Sequence, residues 1–500
     1  MNNIISYLYL LTTVVLFLYG LHFYVLVFLY KRNYKRIKYT NSNNIPYVTV
    51  QLPIYNEANV VERLITASVN LKYPKDKLEI QVLDDSTDET RDIAKELCER
   101  FSKKGYNIKY IRRENRQGYK AGALKYGLDR AEGEFIAIFD SDFIPNPDFL
   151  EKTLPFLISD AKVALVQTRW DFYNRDYSLL TRIQATALDG HFIVEQKARS
   201  DSDLWFNFNG TAGIWRKEAI IDAGNWETDT LTEDLDLSYR AQIKGWKNIY
   251  LAQLGNESEL PITMNAYKSQ QFRWAKGAFQ CLRKLLPKIV KAKAPLKSKL
   301  EALVHLINYS AYIFLFINFL LMFPLSYFAN LYNYNPWDIV PIYFSVLFFV
   351  VGILGPLTYF YISQKKRGLK SLYIIVNLIG LIILNFGLTI TIIKAFFEVY
   401  FLNKKSEFVR TPKYSGNTKK IYKTSKFLIQ SIIEIIIGLW AIYVAYYTLI
   451  GGMKHLPGIS FFAFIYSIGF LWVGLTSLKE ELGKISIKKV EFNIQKNSIN

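Results

Sequence analysis

Acidic side chains follow two predicted strands, and their spacing could hold a cation beside a nucleotide. Asp140 and Asp142 close the segment EFIAIF, and Asp84 and Asp85 close the earlier segment EIQVL. Two carboxylates two residues apart can meet at one hard cation, Mg²⁺ or Mn²⁺, which keeps positions open for phosphate oxygens. The earlier acid pair could contact a nucleotide base or ribose. Each pair taken alone is also typical of an acidic turn or a helix cap, and the pair Asp140 and Asp142 is a weak signal alone.

Two predicted helices begin with groups that could act on a substrate. Asp234 follows Thr232 and Glu233 at the start of LDLSYRAQIKG, where a carboxylate could serve as a general base toward an acceptor hydroxyl. The same acids are also typical of a helix cap. Lys120 begins the helix KAGAL, and a helix N-terminus with a lysine attracts anions. It could equally be an ordinary surface lysine.

A third helix combines an amide, a guanidinium and an aromatic ring. Gln270 and Trp274 are one helical turn apart, and Arg273 lies beside them. The arginine could stabilise a developing diphosphate charge, and the tryptophan could stack on a sugar. Because ten basic residues and no acidic ones fall in 260–300, an amphipathic helix at a membrane surface is the alternative.

The elements that must position these groups alternate along the chain. Strands are predicted at 47–55, 79–86, 107–113, 134–142 and 163–170, with helices between the early ones at 60–70, 88–101 and 119–131. This alternation predicts a parallel sheet covered on both faces, with ligands at the carboxyl ends of its strands. No GxGxxG or Walker A pattern occurs, so dinucleotide and P-loop sites are not supported.

Hydrophobic residues make up 51% of the 500-residue chain, but they are concentrated in six long runs. The runs lie at 4–30, 303–331, 338–364, 371–402, 427–450 and 457–478. Each reaches the roughly 20 residues that a bilayer span requires, whereas 32–300 is typical of a soluble domain. A purely soluble enzyme, a disordered protein and a disulfide-stabilised secreted protein are excluded. Two cysteines and four scattered histidines also disfavour a zinc site.

The net charge of +19 is located beside the apolar runs. Basic residues cluster at 31–40, 260–300, 365–370 and 403–426, whereas the rest of the chain is net acidic. The positive-inside rule therefore predicts an outside N-terminus and a cytosolic insert in contact with anionic lipid. A nucleic-acid partner is not expected. If 371–402 crossed once, 403–426 would lie outside, so we predict a re-entrant or interfacial course, five crossings and a cytosolic C-terminus.

The order and spacing of the motifs resemble one family. DDS, KAGAL, DSD, TED and QxxRW follow one another and precede membrane helices, as in the processive inverting glycosyltransferases of family 2, the cellulose synthase superfamily. The segments 167–196 and 206–216 are similar to the cellulose-synthase-like A and C branches, which are (gluco)mannan and glucan synthases, and to their bacterial relatives. FVRTPK at 408–413 resembles the FxVTxK gating loop, with Arg410 where the pattern has valine.

The resemblance implies a role for each matching position. It implies a general base at Asp234 and a metal site at Asp140 and Asp142. The implied nucleotide-sugar contacts are Asp84, Asp85, Lys120, Asp140, Asp142 and Arg273. The implied acceptor contacts are Asn209, Gly210, Thr211, Glu233, Gln270 and Trp274. The implied gating-loop residues are Phe408, Thr411 and Lys413.

The resemblance also implies an architecture and an activity. The expected fold is an α/β GT-A domain with a Rossmann-like parallel or mixed sheet, plus an α-helical transmembrane region. The expected parts are a membrane helix at 1–31, the catalytic domain at 32–300, a membrane hairpin at 301–366, an interfacial or re-entrant segment with the gating loop at 367–426, and a hairpin with a cytosolic tail at 427–500.

The implied reaction transfers hexose from UDP-glucose or GDP-mannose, with Mg²⁺ or Mn²⁺, to a β-1,4-linked glucan or mannan exported across the plasma membrane. One alternative is a ceramide-glucosyltransferase-like enzyme that adds a single sugar to a lipid. The other is a catalytically dead transport or scaffold subunit, which the complete set of acids disfavours.

Overall fold

A computed structural model describes residues 2–32, 45–331, 349–404, 413, 427–450 and 457–483. Seven strands form one sheet, and the first five begin within one residue of the predicted starts. The strands are β1 Val48–Ile54, β2 Leu78–Asp84, β3 Ile108–Arg112, β4 Phe135–Ile138, β5 Val163–Phe172, β6 Gly213–Arg216 and β7 Lys247–Ser258.

The sheet is mixed, with the order β3-β2-β1-β4-β6-β5-β7. Neighbouring pairs are parallel except where β6 runs antiparallel between β4 and β5. The sequence pattern predicts neither β6 nor β7, and β6 is only four residues long. The expected parallel sheet is therefore interrupted by one short reversed strand. The carboxyl ends of β1, β2 and β4 still meet at one edge.

Helices cover both faces of this sheet. They are α2 Val61–Val69, α3 Thr90–Ser102, α4 Tyr119–Leu128, α5 Phe149–Ser159, α6 Leu179–Asp189, α7 Gln196–Asp201, α8 Lys217–Asp222 and α9 Glu233–Ile243. Along β1, Val50 and Leu52 enter the core on one face, whereas Thr49 and Gln51 are buried on the other. These two polar side chains donate to Glu79 and Gln81 of β2 at 2.6 and 3.0 Å. The alternation in β1 therefore marks two buried faces, one apolar and one hydrogen-bonded.

The remaining helices belong to the apolar part of the chain or lead into it. They are α1 Asn2–Arg32, α10 Met264–Lys291, α11 Leu296–Ile307, α12 Ala311–Leu331, α13 Leu354–Lys366, α14 Ser371–Gly387, α15 Thr389–Tyr400, α16 Leu428–Ile450 and α17 Pro457–Glu481. Within the described ranges, four helical segments are long and apolar enough to cross a membrane. They are Ile4–Arg32, Leu296–Phe328, Leu428–Ile450 and Gly458–Glu481.

The run 371–402 is a bent pair of helices rather than one straight helix. α14 and α15 meet at Leu388 with a bend of 42°. A broken span and a re-entrant pair both have this geometry, so the re-entrant or interfacial course stays a prediction. The first part of the run 338–364 lies outside the described residues, and the count of five crossings likewise stays a prediction.

Helix α10 connects the sheet domain to the apolar helices through buried ion pairs. Lys268 lies 2.8 Å from Glu434 of α16, and Lys276 lies 2.7 Å from Glu398 of α15. Glu480 of α17 accepts from the backbone nitrogens of Met264 and Asn265, both at 2.7 Å, and so caps the start of α10. Because breaking a buried pair is costly, the position of α10 is coupled to three apolar helices.

Candidate active site

One cleft lies at the carboxyl edge of the sheet, between the strand ends and α10. It collects most of the predicted site residues from segments far apart in the chain. Those that line it are Asp85, Lys120, Asp140, Asp142, Asn209, Gly210, Glu233, Asp234, Gln270, Arg273, Trp274 and Lys413.

Each of the two acids that follow β4 forms an ion pair with a lysine. Lys120 Nζ lies 2.6 Å from Asp140 Oδ1, and Lys413 Nζ lies 2.6 Å from Asp142 Oδ2. Burial alone would lower the pKa of Lys120, but the charges of Asp140 and Glu233 outweigh it and raise that pKa. Lys120 is therefore a cation beside Asp140, where it can also neutralise a bound diphosphate.

Thr211 does not line the cleft, but it contacts the loop that carries Asp140. Its side chain is buried, and its Oγ1 accepts a hydrogen bond from the backbone nitrogen of Asp140 at 2.9 Å. Lys120 Nζ also donates to the carbonyl oxygen of Gly210 at 2.8 Å. These contacts tie the segment 209–211 to both the acid and the lysine. Thr211 thus contacts the loop that carries Asp140, and its acceptor contact stays a prediction.

Asp234 stands in the first turn of α9, at the side of the cleft. Burial and the neighbouring charge of Glu233 raise the pKa of Asp234 to about 7, although Lys120 acts in the opposite direction. Its Oδ1 accepts from the backbone nitrogen of Leu235 at 2.8 Å. A carboxylate with a pKa near neutrality suits general-base work. The predicted base is therefore in an environment that raises its basicity.

Helix α10 presents Gln270, Arg273 and Trp274 to the same cleft. Burial lowers the pKa of the Arg273 guanidinium, and the surrounding carboxylates, led by Glu233, counter that effect. Arginine remains a cation even so, because its ordinary pKa exceeds 12. The guanidinium lies in the same cleft as the acids that follow β4, and their charges act on it.

The two acids after β2 have different surroundings. Asp85 lines the cleft and is held by Arg113, whose Nε donates to Oδ1 at 3.0 Å. Asp84 is buried and accepts from the Tyr110 hydroxyl at 2.8 Å and the Ser86 backbone nitrogen at 2.7 Å. The structure therefore brings Asp85 to the cleft and uses Asp84 to shape the loop behind it.

Several cleft residues were not predicted from the sequence. Tyr55 follows β1, and the Arg116 guanidinium lies 3.4 Å from the centre of its ring. Glu259 follows β7, and its carbonyl oxygen accepts from Lys413 Nζ at 2.9 Å. Both residues follow the carboxyl ends of strands. Because ligand groups are expected at such ends, Tyr55 could have been predicted from the predicted strand that contains β1. For Glu259 the strand itself was not predicted.

Only part of the predicted gating loop can be compared with the structure. Lys413 is described, and its ion pair with Asp142 brings that position into the cleft. Its carbonyl oxygen also accepts from Asn59 Nδ2 at 3.2 Å. Phe408 and Thr411 lie outside the described residues, and their roles stay predictions.

A second acidic cluster has spacing that could suit a metal. Glu227, Asp229 and Asp236 lie together, and they form the one such group of three found within the described residues. Lys284 Nζ is 2.5, 2.7 and 3.0 Å from these carboxylates. The Arg240 Nε atom is also 2.8 Å from Asp236. In this structure the cluster is an ion-pair network around Lys284, outside the cleft.

The cleft can bind an anionic donor and deprotonate a hydroxyl on a second substrate. Asp234, whose pKa is raised to about 7, shares the cleft with two lysines, two arginines and six further acids at the carboxyl edge of an α/β sheet. These features are those expected of a group-transfer enzyme that acts on a phosphorylated donor.

Comparisons with known proteins agree with that class. The model "Glycosyl transferase family 2" matches residues 49–220, and "Glycosyl transferase family group 2" matches residues 135–354. Glucomannan 4-beta-mannosyltransferase 2 of Arabidopsis thaliana is 50% identical over 256 residues, which is 50% of this chain and 48% of that protein. Glucomannan 4-beta-mannosyltransferase 1 of Oryza sativa subsp. japonica is 49% identical over 252 residues, 50% of this chain and 48% of that protein.

Among solved structures, a mannosyltransferase from Pyrobaculum calidifontis in complex with GDP-Man and Mn²⁺ has the same fold. The TM-score is 0.54 at 20% identity, over 75% of this chain and 98% of that one. Residues 49–354 therefore match glycosyltransferase family 2 models, and half of the chain is similar to glucomannan 4-beta-mannosyltransferases. The chain spans about half the length of the curated relatives it matches.

A substitution of Gly210 would have two effects, strain in the backbone and displacement of Asp234. Its φ is +85°, and an added Cβ would lie 2.9 Å from Asp234 Oδ2 and 3.3 Å from Lys120 Nζ. We expect Gly210→Ala to lower activity about 10²-fold by displacing the base, and to cost about 1–2 kcal/mol of stability in backbone strain. Gly105→Ala is the matched control, since its φ is +81° and nothing lies within 4 Å of an added Cβ.

Both variants should therefore unfold at lower temperature, but only Gly210→Ala should lose activity. Thermal unfolding and initial rates measured on the same preparations test this. Full activity in Gly210→Ala would show that the 210 position does not border the reacting groups.

Proposed function

We propose that this chain is an inverting hexosyltransferase that extends a β-1,4-linked polysaccharide at the membrane. The observation that carries the proposal is Asp234, whose pKa is raised to about 7 in the same cleft as Lys120 and Arg273. A base with a pKa near 7 can deprotonate an acceptor hydroxyl, and neighbouring cations can stabilise a departing diphosphate. Displacement at an anomeric carbon requires both.

The reaction proceeds in one displacement. Asp234 takes the proton from an acceptor hydroxyl, and that oxygen attacks the anomeric carbon from the face opposite the diphosphate. The bond from the anomeric carbon to the diphosphate oxygen breaks, and the configuration inverts from α to β. Lys120 and Arg273 stabilise the negative charge on the departing diphosphate. Positioning of donor and acceptor by the cleft walls supplies much of the remaining rate enhancement.

Asp140 and Asp142 fit a hard divalent cation. Both offer carboxylate oxygens in the cleft, and each is paired with a lysine. Oxygen ligands from one or two carboxylates plus substrate phosphates suit Mg²⁺, and Mn²⁺ accepts the same ligands. Such an ion, when bound, supplies additional positive charge at the diphosphate. Its binding would replace the contacts of Lys120 and Lys413 with these acids.

The names of the relatives favour a mannosyl donor. Those relatives are glucomannan 4-beta-mannosyltransferases, and they align with about half of their length. We therefore propose GDP-mannose as the donor and a mannan or glucomannan chain as the acceptor, with UDP-glucose as the second candidate. Gln270 and Trp274 are proposed to contact the acceptor, and Asp85 the nucleotide.

The apolar helices support a multi-pass protein, and the charge distribution supports its orientation. We propose a plasma-membrane location with the catalytic domain in the cytosol and the N-terminus outside. The growing polymer would pass outward between the apolar helices. Transfer of one sugar to a lipid, the alternative from the sequence, is not favoured by relatives that are named for polysaccharide synthesis.

Nucleotide release from each donor tests the proposed reaction. Purified full-length protein in detergent or nanodiscs, given a β-1,4-linked manno-oligosaccharide, should release GDP from GDP-mannose at least about tenfold faster than UDP from UDP-glucose. A preference for UDP-glucose would change the proposed donor but would still support a hexosyltransferase. Turnover of neither donor, with a folded protein and both Mg²⁺ and Mn²⁺ supplied, would contradict the proposed function.

A further inference from the structure

His191 lies on an irregular helical turn beside the acceptor side of the cleft. Residues Gly190–Glu195 form a π-helical turn between α6 and α7, and such turns are frequent at functional sites. Phe192 and Val194 of this turn are buried in apolar clusters. The Phe192 ring also meets the His191 ring edge to face, with centres 4.9 Å apart. The imidazole therefore has a fixed position.

The imidazole bridges a carboxylate and the side chain of a cleft residue. Its Nδ1 atom lies 3.0 Å from Glu195 Oε2, and its Nε2 atom lies 2.9 Å from Asn209 Oδ1. Burial would raise the pKa of Glu195, but the charges of Arg199 and His191 lower it well below the usual value. The ionised Glu195 carboxylate faces Nδ1, and Nε2 donates to Asn209 Oδ1 when it carries a proton. The Gln196 side-chain nitrogen also lies 3.1 Å from Nε2 and donates to the Asn207 carbonyl oxygen at 3.1 Å.

Among the described residues, the side-chain amide of Asn209 has hydrogen-bond partners at its oxygen but not at its nitrogen. Its Oδ1 also accepts from Asn207 Nδ2 at 3.1 Å, and its backbone nitrogen donates to Gln167 Oε1 at 3.0 Å. Its Nδ2 atom is buried and has no hydrogen-bond partner among the residues that the structure describes. A buried donor of this kind is costly unless a ligand satisfies it. Asn209 lines the cleft, and the next residue, Gly210, adjoins Asp234.

Buried ion pairs tie the His191 turn to the apolar helices. Glu195 Oε1 lies 2.8 Å from Arg199, and Arg199 Nε lies 3.1 Å from Glu301 of α11. Glu301 in turn lies 3.0 Å from His22 Nε2 of α1. The Arg199 side chain is only 2% exposed. A continuous series of polar contacts therefore runs from α1 to the cleft, and it ends at the Asn209 amide.

We propose that His191 is a positioning residue for the acceptor sugar. It orients the Asn209 amide so that Nδ2 donates a hydrogen bond to a hydroxyl oxygen of the sugar whose reacting hydroxyl faces Asp234. The inference rests on the proposed function, because it requires a sugar acceptor in this cleft. It gives a role to a residue that lies in the segment 167–196 but is not among the implied acceptor contacts.

Two substitutions of His191 separate its two contacts. In His191→Asn, the shorter amide can replace the Nδ1 contact to Glu195 but cannot reach Asn209. In His191→Gln, the longer amide reaches the position of Nε2 and can hold Asn209. With a β-1,4-linked manno-oligosaccharide as acceptor, we expect the acceptor KM to rise about tenfold in His191→Asn and to stay within about twofold in His191→Gln.

Donor binding distinguishes positioning from general damage. The Kd for GDP, measured by calorimetry, and the kcat at saturating acceptor should be unchanged in both variants, since a merely structural defect would lower kcat as well. Asn209→Ala should raise the acceptor KM by a similar factor, and the double variant with His191→Asn should be no worse than either single one. Asn209→Ala also serves as the test if His191→Asn does not fold.

The outcomes separate this inference from the proposed function. An acceptor KM equal to that of the wild type in His191→Asn or Asn209→Ala, or additive effects in the double variant, would overturn the positioning role while leaving the transferase intact. If the unmodified protein elongated no acceptor with either donor, the proposed function would fail and this inference with it.

Discussion

Asp234→Asn is expected to lower kcat about 10²–10⁴-fold, the range over which a general base contributes. The asparagine keeps the shape of the side chain but cannot take the acceptor proton. Donor binding should be unaffected, because the cations proposed to meet the diphosphate, Lys120 and Arg273, remain. Initial rates with saturating donor and acceptor, and a separate Kd for the nucleotide, measure the two quantities independently.

A nearby acid and the pH profile provide the controls. Asp229→Asn removes an exposed carboxylate that pairs with Lys284 outside the cleft, so its rate should stay within about twofold of the unmodified protein. The raised pKa of Asp234 means that the base is protonated, and inactive, below about pH 7. The rate should therefore fall about tenfold for each pH unit below that value and level off above it. A flat profile from pH 5 to 8, or full activity in Asp234→Asn, would assign the proton transfer to another group.

Arg273→Ala is expected to produce the second largest loss, about 10²–10³-fold in kcat. The guanidinium is buried near four carboxylates, whose charges counter the effect of its burial. In the proposed reaction its positive charge stabilises the departing diphosphate. Arg273→Lys should recover only part of the rate, since an ammonium keeps the charge but lacks the planar pair of donors.

Arg283 offers the control on the same helix. It lies on the exposed side of α10 and donates to the Val399 carbonyl oxygen at 2.9 Å. Arg283→Ala should therefore keep kcat within about twofold. Single-turnover rates report the chemical step for all three variants. Equal losses in Arg273→Ala and Arg283→Ala would mean that α10 acts only through stability.

Much of the site follows from one sequence rule. Acids that end parallel strands must meet at one sheet edge, which is why Asp85, Asp140 and Asp142 were predictable neighbours. Long apolar runs likewise predicted the four long helices. Which carboxylate of a pair enters the cleft was not predictable, because Asp84 is drawn inward by Tyr110 only once β3 is beside β2.

Other features depend on contacts between distant segments. The antiparallel β6 is too short to give a periodic signal, and its direction is set by its neighbours β4 and β5. The raised pKa of Asp234 requires burial and the charge of Glu233, which appear only in the folded cleft. His191 was not identified because a single histidine carries no spacing pattern, and its partner Asn209 is 18 residues away. Such sites are formed by tertiary packing and not by local sequence.

The size of the product made in proteoliposomes tests the central proposal most directly. Full-length protein, GDP-[¹⁴C]mannose and divalent cation should give a ladder of polymers that a β-1,4-mannanase degrades and that is absent with Asp234→Asn. A product that carries a single labelled sugar on lipid, with no ladder at any time or donor concentration, would contradict polysaccharide synthesis.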